Sequence, residues 1–150
     1  MGEVTGDFQA ALDAFVKQFG FNKGTFVLRR LIKRSTAKVD GKKMREIVIA
    51  FSINECAKVC GLSEEQVLKG TSRSHAEARW KAMHLVKFYT NASYAELGKL
   101  FGITGRAVMY AVTKCREMLE VPKFERQFNE RYLAAEKSLI AYITKIKKDG

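Results

Sequence analysis

Arg106 is where an arginine is least welcome. Thr104 can cap a helix with its hydroxyl, which puts Arg106 in the first turn, against the helix dipole. A cation kept there suggests a use outside the chain. A guanidinium can bond O6 and N7 of guanine together, worth about 1–3 kcal/mol against a wrong base. Thr104, Gly105, Met109, Tyr110 and Thr113 share the exposed early positions of the same helix. Gly105 would let the backbone come close to a duplex, and Met109 and Tyr110 could touch a thymine methyl or lie along a groove wall. These six are the candidate base-contacting residues. Lys99, Lys114 and Arg116 are candidates for holding phosphates, which position a duplex without reading its sequence.

The stretch from Ser93 to Arg116 must position them. Ser93 with Glu96 makes a capping box that starts a helix, and Leu97, Leu100 and Phe101 fall on one face of it. Gly102 sits where that helix must stop, since glycine enters the left-handed conformation at little cost. Ile103 follows as a buried plug. Thr104 caps a second helix whose apolar face is Val108, Ala111, Val112 and Cys115. Gly98 is small where two crossing helices approach. The pattern is a helix-turn-helix, which lays its second helix in the DNA major groove. An ordinary core hairpin explains Leu97, Phe101 and Val108 equally well. It explains less well the joint choice of Gly98, Gly102 and Ile103.

A chain of 150 residues with ordinary apolar and charged fractions can bury a core without staples. Its net charge of +11 points to a polyanionic partner, nucleic acid before an anionic membrane, with solubility as the plainer explanation. No apolar run is long enough to span a bilayer. The N-terminus has no charged-then-apolar leader, and Gly6 stands where a myristoylation site wants Ser or Thr. A cytoplasmic, nucleoid-associated protein is expected. Cys56 and Cys60 share a helical face, and with His75 or His84 could begin a zinc site, but buried thiols explain them more simply. No serine or cysteine stands in a nucleophile motif. The sequence therefore points away from an enzyme and asks for no cofactor.

Along the rest of the chain, Thr5 to Phe19 reads as a helix through Phe8, Leu12, Phe15 and Phe19, and Asn22 can cap a second carrying Phe26 to Ile32. A basic stretch runs from Arg29 to Arg45 and could grip flanking phosphates or be a solvated surface. Between 37 and 51, a short β-hairpin and a loop leading into a helix both fit. Ser52 with Glu55, Ser63 with Gln66 and Ser74 with Glu77 form further capping boxes, and Gly61 closes the first of these helices. The long helix from Ser74 carries Ala78, Ala82, Leu85 and Tyr89. Pro122 sits in the first turn of a last helix bearing Phe124, Phe128, Tyr132, Ala135, Leu139, Tyr142, Ile143 and Ile146. That helix either covers the core or pairs with a second copy of itself as a homodimer.

From Ser52 to about Met118 the chain resembles the C-terminal DNA-binding domain, a Trp-repressor-like helix-turn-helix, of bacterial chromosomal replication initiators of the DnaA type. The blocks I53-N54-E55-C56-A57-K58-V59-C60-G61-L62-S63-E64-E65-Q66-V67-L68 and S72-R73-S74 with A78-R79-W80-K81-A82-M83-H84-L85 resemble its opening helices, basic loop and long helix. T90-N91-A92-S93-Y94-A95-E96-L97-G98 resembles its T-N-x-S-L-x-E-I-G. Where that family carries G-R-D-H-T-T-V, this chain has I103-T104-G105-R106-A107-V108, one residue shorter and without the Asp-His-Thr-Thr group. The resemblance implies the scaffold and docking mode and leaves the target sequence open. It also implies Arg73 near the minor groove, and Arg79 and Lys81 near the DNA backbone. The initiators' phosphate-loop motif G-x-x-x-x-G-K-[ST] does not occur here.

The expectation is an all-α bundle with a helix-turn-helix and a long C-terminal helix. Its parts are a basic helical extension over 1–51, the DNA-binding domain over 52–121 and an amphipathic helix over 122–150. The expected function is sequence-specific binding of double-stranded DNA, in a bacterial, phage or mobile-element replication or transcription-regulatory protein. A protein-interaction module and an RNA binder are the alternatives. No membrane and no small-molecule substrate are expected.

Overall fold

The structure is a computed structural model that describes Ala10 and residues 37–149. The helices expected at Thr5–Phe19 and after Asn22, and the basic residues Arg29, Arg30, Lys33 and Arg34, lie outside the described residues. Among the described residues there are six helices and no strand: α1 (Lys42–Cys60), α2 (Glu64–Lys69), α3 (Arg73–Tyr89), α4 (Tyr94–Phe101), α5 (Gly105–Leu119) and α6 (Arg126–Asp149). Lys38–Gly150 closes into one unit.

α3 is the hub of that unit, packing on α1, α2, α5 and α6. Its inward face is Ala78, Lys81, Ala82, Met83, Leu85, Val86 and Tyr89. Ala78 and Ala82 are fully buried and one turn apart, so the neighbouring helices approach α3 closely. α6 lays Phe128, Tyr132, Ala135, Leu139 and Ile143 over the core. Tyr142 is partly exposed and stacks on Phe51 of α1, with ring centroids 4.2 Å apart. Asn129 Nδ2 donates to Met118 O at 3.0 Å and fastens the end of α5 to α6.

Several local signals act as expected. Ser63 and Gln66 form a reciprocal capping box at α2. Gly61 ends α1 in the left-handed region, with φ 66°. Other signals yield to tertiary packing. Between 37 and 51 the hairpin is absent and the other expected form, a loop leading into a helix, is found: α1 runs unbroken from Lys42, with Val48, Ser52, Ile53, Cys56 and Ala57 as its buried stripe. Ser52 is thus no cap. It lies mid-helix, fully buried, and its Oγ has no hydrogen-bond partner. The expected division at 51/52 falls inside this helix.

α3 starts at Arg73, so its cap lies two residues before the expected Ser74. Ser72 is the cap and accepts from His75 N at 3.3 Å, while Glu77 is taken by Arg73 at 3.1 Å. Pro122 precedes α6 rather than opening it. It sits in a turn closed by Phe124 N and Glu125 N donating to Val121 O, both at 3.0 Å. Phe124 therefore leaves the helical stripe and is 84% exposed.

Crowding at the hub is a testable constraint. Ala82→Leu should cost about 1–3 kcal/mol of stability through overpacking. Leu133→Ser, on the exposed side of α6, should change stability by no more than about 0.5 kcal/mol. Urea unfolding of both variants checks the pair.

Candidate nucleic-acid interface

Ser93 caps α4 by accepting from Glu96 N at 3.1 Å. Glu96 does not return the bond; its carboxylate pairs with Arg45 Nε at 3.0 Å. α4 buries Leu97, Gly98 and Phe101 and ends at Gly102, whose φ is 68°. Ile103 N then donates to Gly98 O at 2.8 Å. A Cβ on Gly98 would lie 2.5 Å from Ile103 O, so only glycine lets the turn fold this closely over α4. Thr104 accepts from Ala107 N at 3.1 Å and starts α5.

α5 has two faces. Val108, Ala111, Cys115 and Met118 are buried. Opposite them, Arg106, Tyr110, Thr113 and Glu117 descend at helical spacing, with Met109 and Arg116 to one side and Lys114 to the other. Met109 is 49% and Tyr110 59% exposed. Thr113 and Gly105 are half-buried, and Arg106, Thr104, Lys99 and Arg116 are exposed. The Arg106 side chain makes no hydrogen bond or ion pair among the described residues, and neither do the side chains of Lys99 and Arg116. Thr104 spends its oxygen on the cap. Gly105 packs at ordinary contact distance on the start of α4, where an added Cβ would be 3.4 Å from Ala95 N.

The remaining cations divide. Lys114 lies 3.7 Å from Glu117 and 5.6 Å over the Tyr110 ring. Arg73 pairs with Glu77 and covers the Trp80 ring at 5.0 Å, but stays 72% exposed. Both pairs are surface pairs worth little, so either cation can be drawn away by a phosphate.

Two of the expected backbone contacts, Arg79 and Lys81, have partners within the protein. Arg79 Nε donates to Val67 O at 2.8 Å and its Nη2 to Gly70 O, so this guanidinium fastens the end of α2. Burial also lowers its pKa from the ordinary arginine value. Lys81 is 1% exposed and points into the core, with its ammonium 4.0 Å over the Phe128 ring. Lys81 belongs to the buried side of α3 and Arg79 is half-buried against the end of α2, which no motif spacing discloses.

Leu100 and Ile103 were expected inside and are instead 47% and 37% exposed, flanking the turn beside Thr104. They add apolar surface to the same edge. Glu117 is the other feature missed: its charge stands at the far end of the outward face of α5. Helical spacing from Arg106 could have found it.

The setting of α4 depends on a polar clamp. Asn91 Nδ2 donates to Asp40 Oδ1 at 2.6 Å, and Arg45 Nη1 donates to Asn91 Oδ1 at 3.0 Å. Thr90 Oγ1 donates to Val86 O at 2.7 Å and accepts from Ala92 N at 3.1 Å. Arg45, counted with the basic stretch, is therefore a structural cation.

Among the described residues no three His, Cys, Asp or Glu side chains group as metal ligands. No helix there is long and apolar enough to cross a membrane. His84 Nδ1 lies 2.7 Å from Tyr132 Oη. No protein-family model matches this chain, and no curated protein matches it significantly.

Arg79 should behave as a structural residue. Arg79→Ala leaves two part-buried carbonyls without their donor and should cost about 1–2 kcal/mol in a melting experiment. The salt dependence of any nucleic-acid binding by the folded fraction should stay unchanged.

Proposed function

We propose that the chain binds double-stranded DNA sequence-specifically, using α4 and α5 as a helix-turn-helix with the start of α5 in the major groove. The observation that carries this reading is Arg106: exposed, unpaired among the described residues and held in the first turn of α5, in a chain of net charge +11. A free arginine there gains nothing from its own helix and is placed to bond a guanine edge. Met109 and Tyr110 offer apolar contact beside it, and Thr113 a hydroxyl one turn on.

Glu117 sets the tilt. A carboxylate at the far end of the outward face would be repelled by phosphates, so α5 enters the groove by its N-terminal half. Lys99 and Arg116, with Lys114 once it leaves Glu117, bind phosphates on either side. Arg73 is the candidate for the neighbouring minor groove, by the resemblance to replication initiators. That resemblance supports a replication-initiator-like or transcription-regulatory role without ATPase chemistry. No enzymatic activity and no cofactor belong to this reading, and cytoplasmic, nucleoid-associated action is part of it.

A protein-interaction role draws on exposed Phe124, Leu100 and Ile103. A gel-shift series with duplex DNA, single-stranded DNA and RNA separates the readings. Salt-sensitive preference for duplex is expected. Weak binding insensitive to salt would favour protein interaction, and preference for RNA would move the same surface to RNA.

Site variants sharpen the test. Arg106→Ala should lose about 1–3 kcal/mol on a selected duplex and relax preference at one base pair. Arg116→Ala should weaken all duplexes alike and lower the slope of log affinity against log salt by about 0.9. Gly105→Ala should fold and bind like the parent, since the added Cβ faces Ala95 at the start of α4 and not the groove. Unchanged binding in both Arg106→Ala and Arg116→Ala would remove α5 as the reader.

A further inference from the structure

Lys81 is sealed from solvent and has no carboxylate partner among the described residues. Its side chain is 1% exposed, and no described ion pair includes it. Lysine rarely accepts such burial unpaired. What faces its Nζ is the Phe128 ring and, at 3.8 Å, the Sγ of Cys60, the last residue of α1. Cys60 is half-buried, the least buried of the three described cysteines. The other two described cysteines, Cys56 and Cys115, are fully buried, and burial raises the pKa of both thiols. They offer little thiolate, the form that peroxides oxidise. One half-buried thiol therefore stands against one enclosed amine, on two helices that pack together.

We propose that Cys60 and Lys81 are an oxidative modification site, at which hydrogen peroxide joins α1 to α3 through a sulfur–oxygen–nitrogen bridge. The first equivalent oxidises sulfur: Cys–SH + H2O2 → Cys–SOH + H2O, with the sulfur lone pair breaking the O–O bond and hydroxide leaving as water after taking the thiol proton. The second closes the bridge: Cys–SOH + Lys–NH2 + H2O2 → Cys–S–O–NH–Lys + 2 H2O. An O–N bond forms, one hydrogen leaves the sulfenic oxygen and one leaves nitrogen. The peroxide takes up the two electrons and both hydrogens and departs as water. A nitrogen–oxygen–sulfur bridge is shorter than the present 3.8 Å separation, so closing it draws the ends of the Lys81 and Cys60 side chains together. The closed loop from 60 to 81 also restricts the unfolded chain. This modification is independent of DNA binding.

The test is hydrogen peroxide treatment of the full chain, followed by intact mass spectrometry and peptide sequencing. The expected product has gained one oxygen and lost two hydrogens, joins the Cys60 and Lys81 peptides, melts at a higher temperature and reverts with dithiothreitol. Cys60→Ser and Lys81→Met, each shown to be folded by circular dichroism, should lose it, and Cys56→Ala should keep it. A product that lost only two hydrogens and maps to a Cys56–Cys60 disulfide overturns the proposal. So does oxygenation of Cys60 with Lys81 unmodified, or no reaction at peroxide levels that oxidise a control thiol peptide.

Discussion

Everything in residues 38–149 is arranged to cover one face of α3. Ala78 and Ala82 bring neighbouring helices close, and Leu85, Val86 and Tyr89 fill the space beyond them. Fully burying such side chains supplies roughly 1.5–3 kcal/mol each for the large ones, and polar interactions then choose the geometry. Tyr89 Oη donates to Glu136 Oε2 at 2.9 Å, which satisfies a buried hydroxyl and a buried carboxylate together and ties α3 to α6. α5 packs on the same hub through Val108, Ala111 and Cys115. Its outward face follows from that: once these three are inside, Arg106, Met109 and Tyr110 have nowhere else to be.

The second constraint is the link between α3 and α4. It is only four residues long, and nearly every polar atom in it is used. Thr90 finishes α3, Asn91 bridges Asp40 and Arg45, and Ser93 starts α4, while Lys87 Nζ donates to Ala92 O at 2.7 Å. The T-N-A-S block that carries much of the resemblance to replication initiators is thus accounted for by architecture. It holds α4 against α1, and α4 in turn seats the turn at Gly102. Sharing that block and differing at Thr104 to Val108 is compatible with one scaffold and a different target.

The sequence disclosed what is settled within one or two turns. Ser63, Ser93, Thr104, Gly61 and Gly102 act through bonds to neighbours a few residues away, so their spacing carried their role. Ser52 and Ser74 had the same spacing and failed, because Ser52 is drawn into the buried stripe of α1 and Ser72, two residues earlier, supplies the cap of α3 instead of Ser74. Pro122 was displaced by the turn at Val121. The candidate interface was legible along Arg106, Met109 and Tyr110, whose exposure follows from the apolar stripe behind them. Arg79 and Lys81 were not legible: whether a cation on a long helix meets water, a carbonyl or an aromatic ring depends on segments distant in sequence. Leu100 and Ile103 erred the other way, since apolar character does not say which side of a short helix finds a partner.

A nuclear magnetic resonance titration of the chain with a mixed-sequence duplex tests the central reading most directly. The account predicts salt-sensitive shifts concentrated on the amides from Thr104 to Thr113 and on the Arg106 side-chain resonance, with the α6 core residues Leu139 and Ile143 unmoved. Duplex binding that shifts other surfaces and leaves Thr104 to Thr113 unchanged would contradict it.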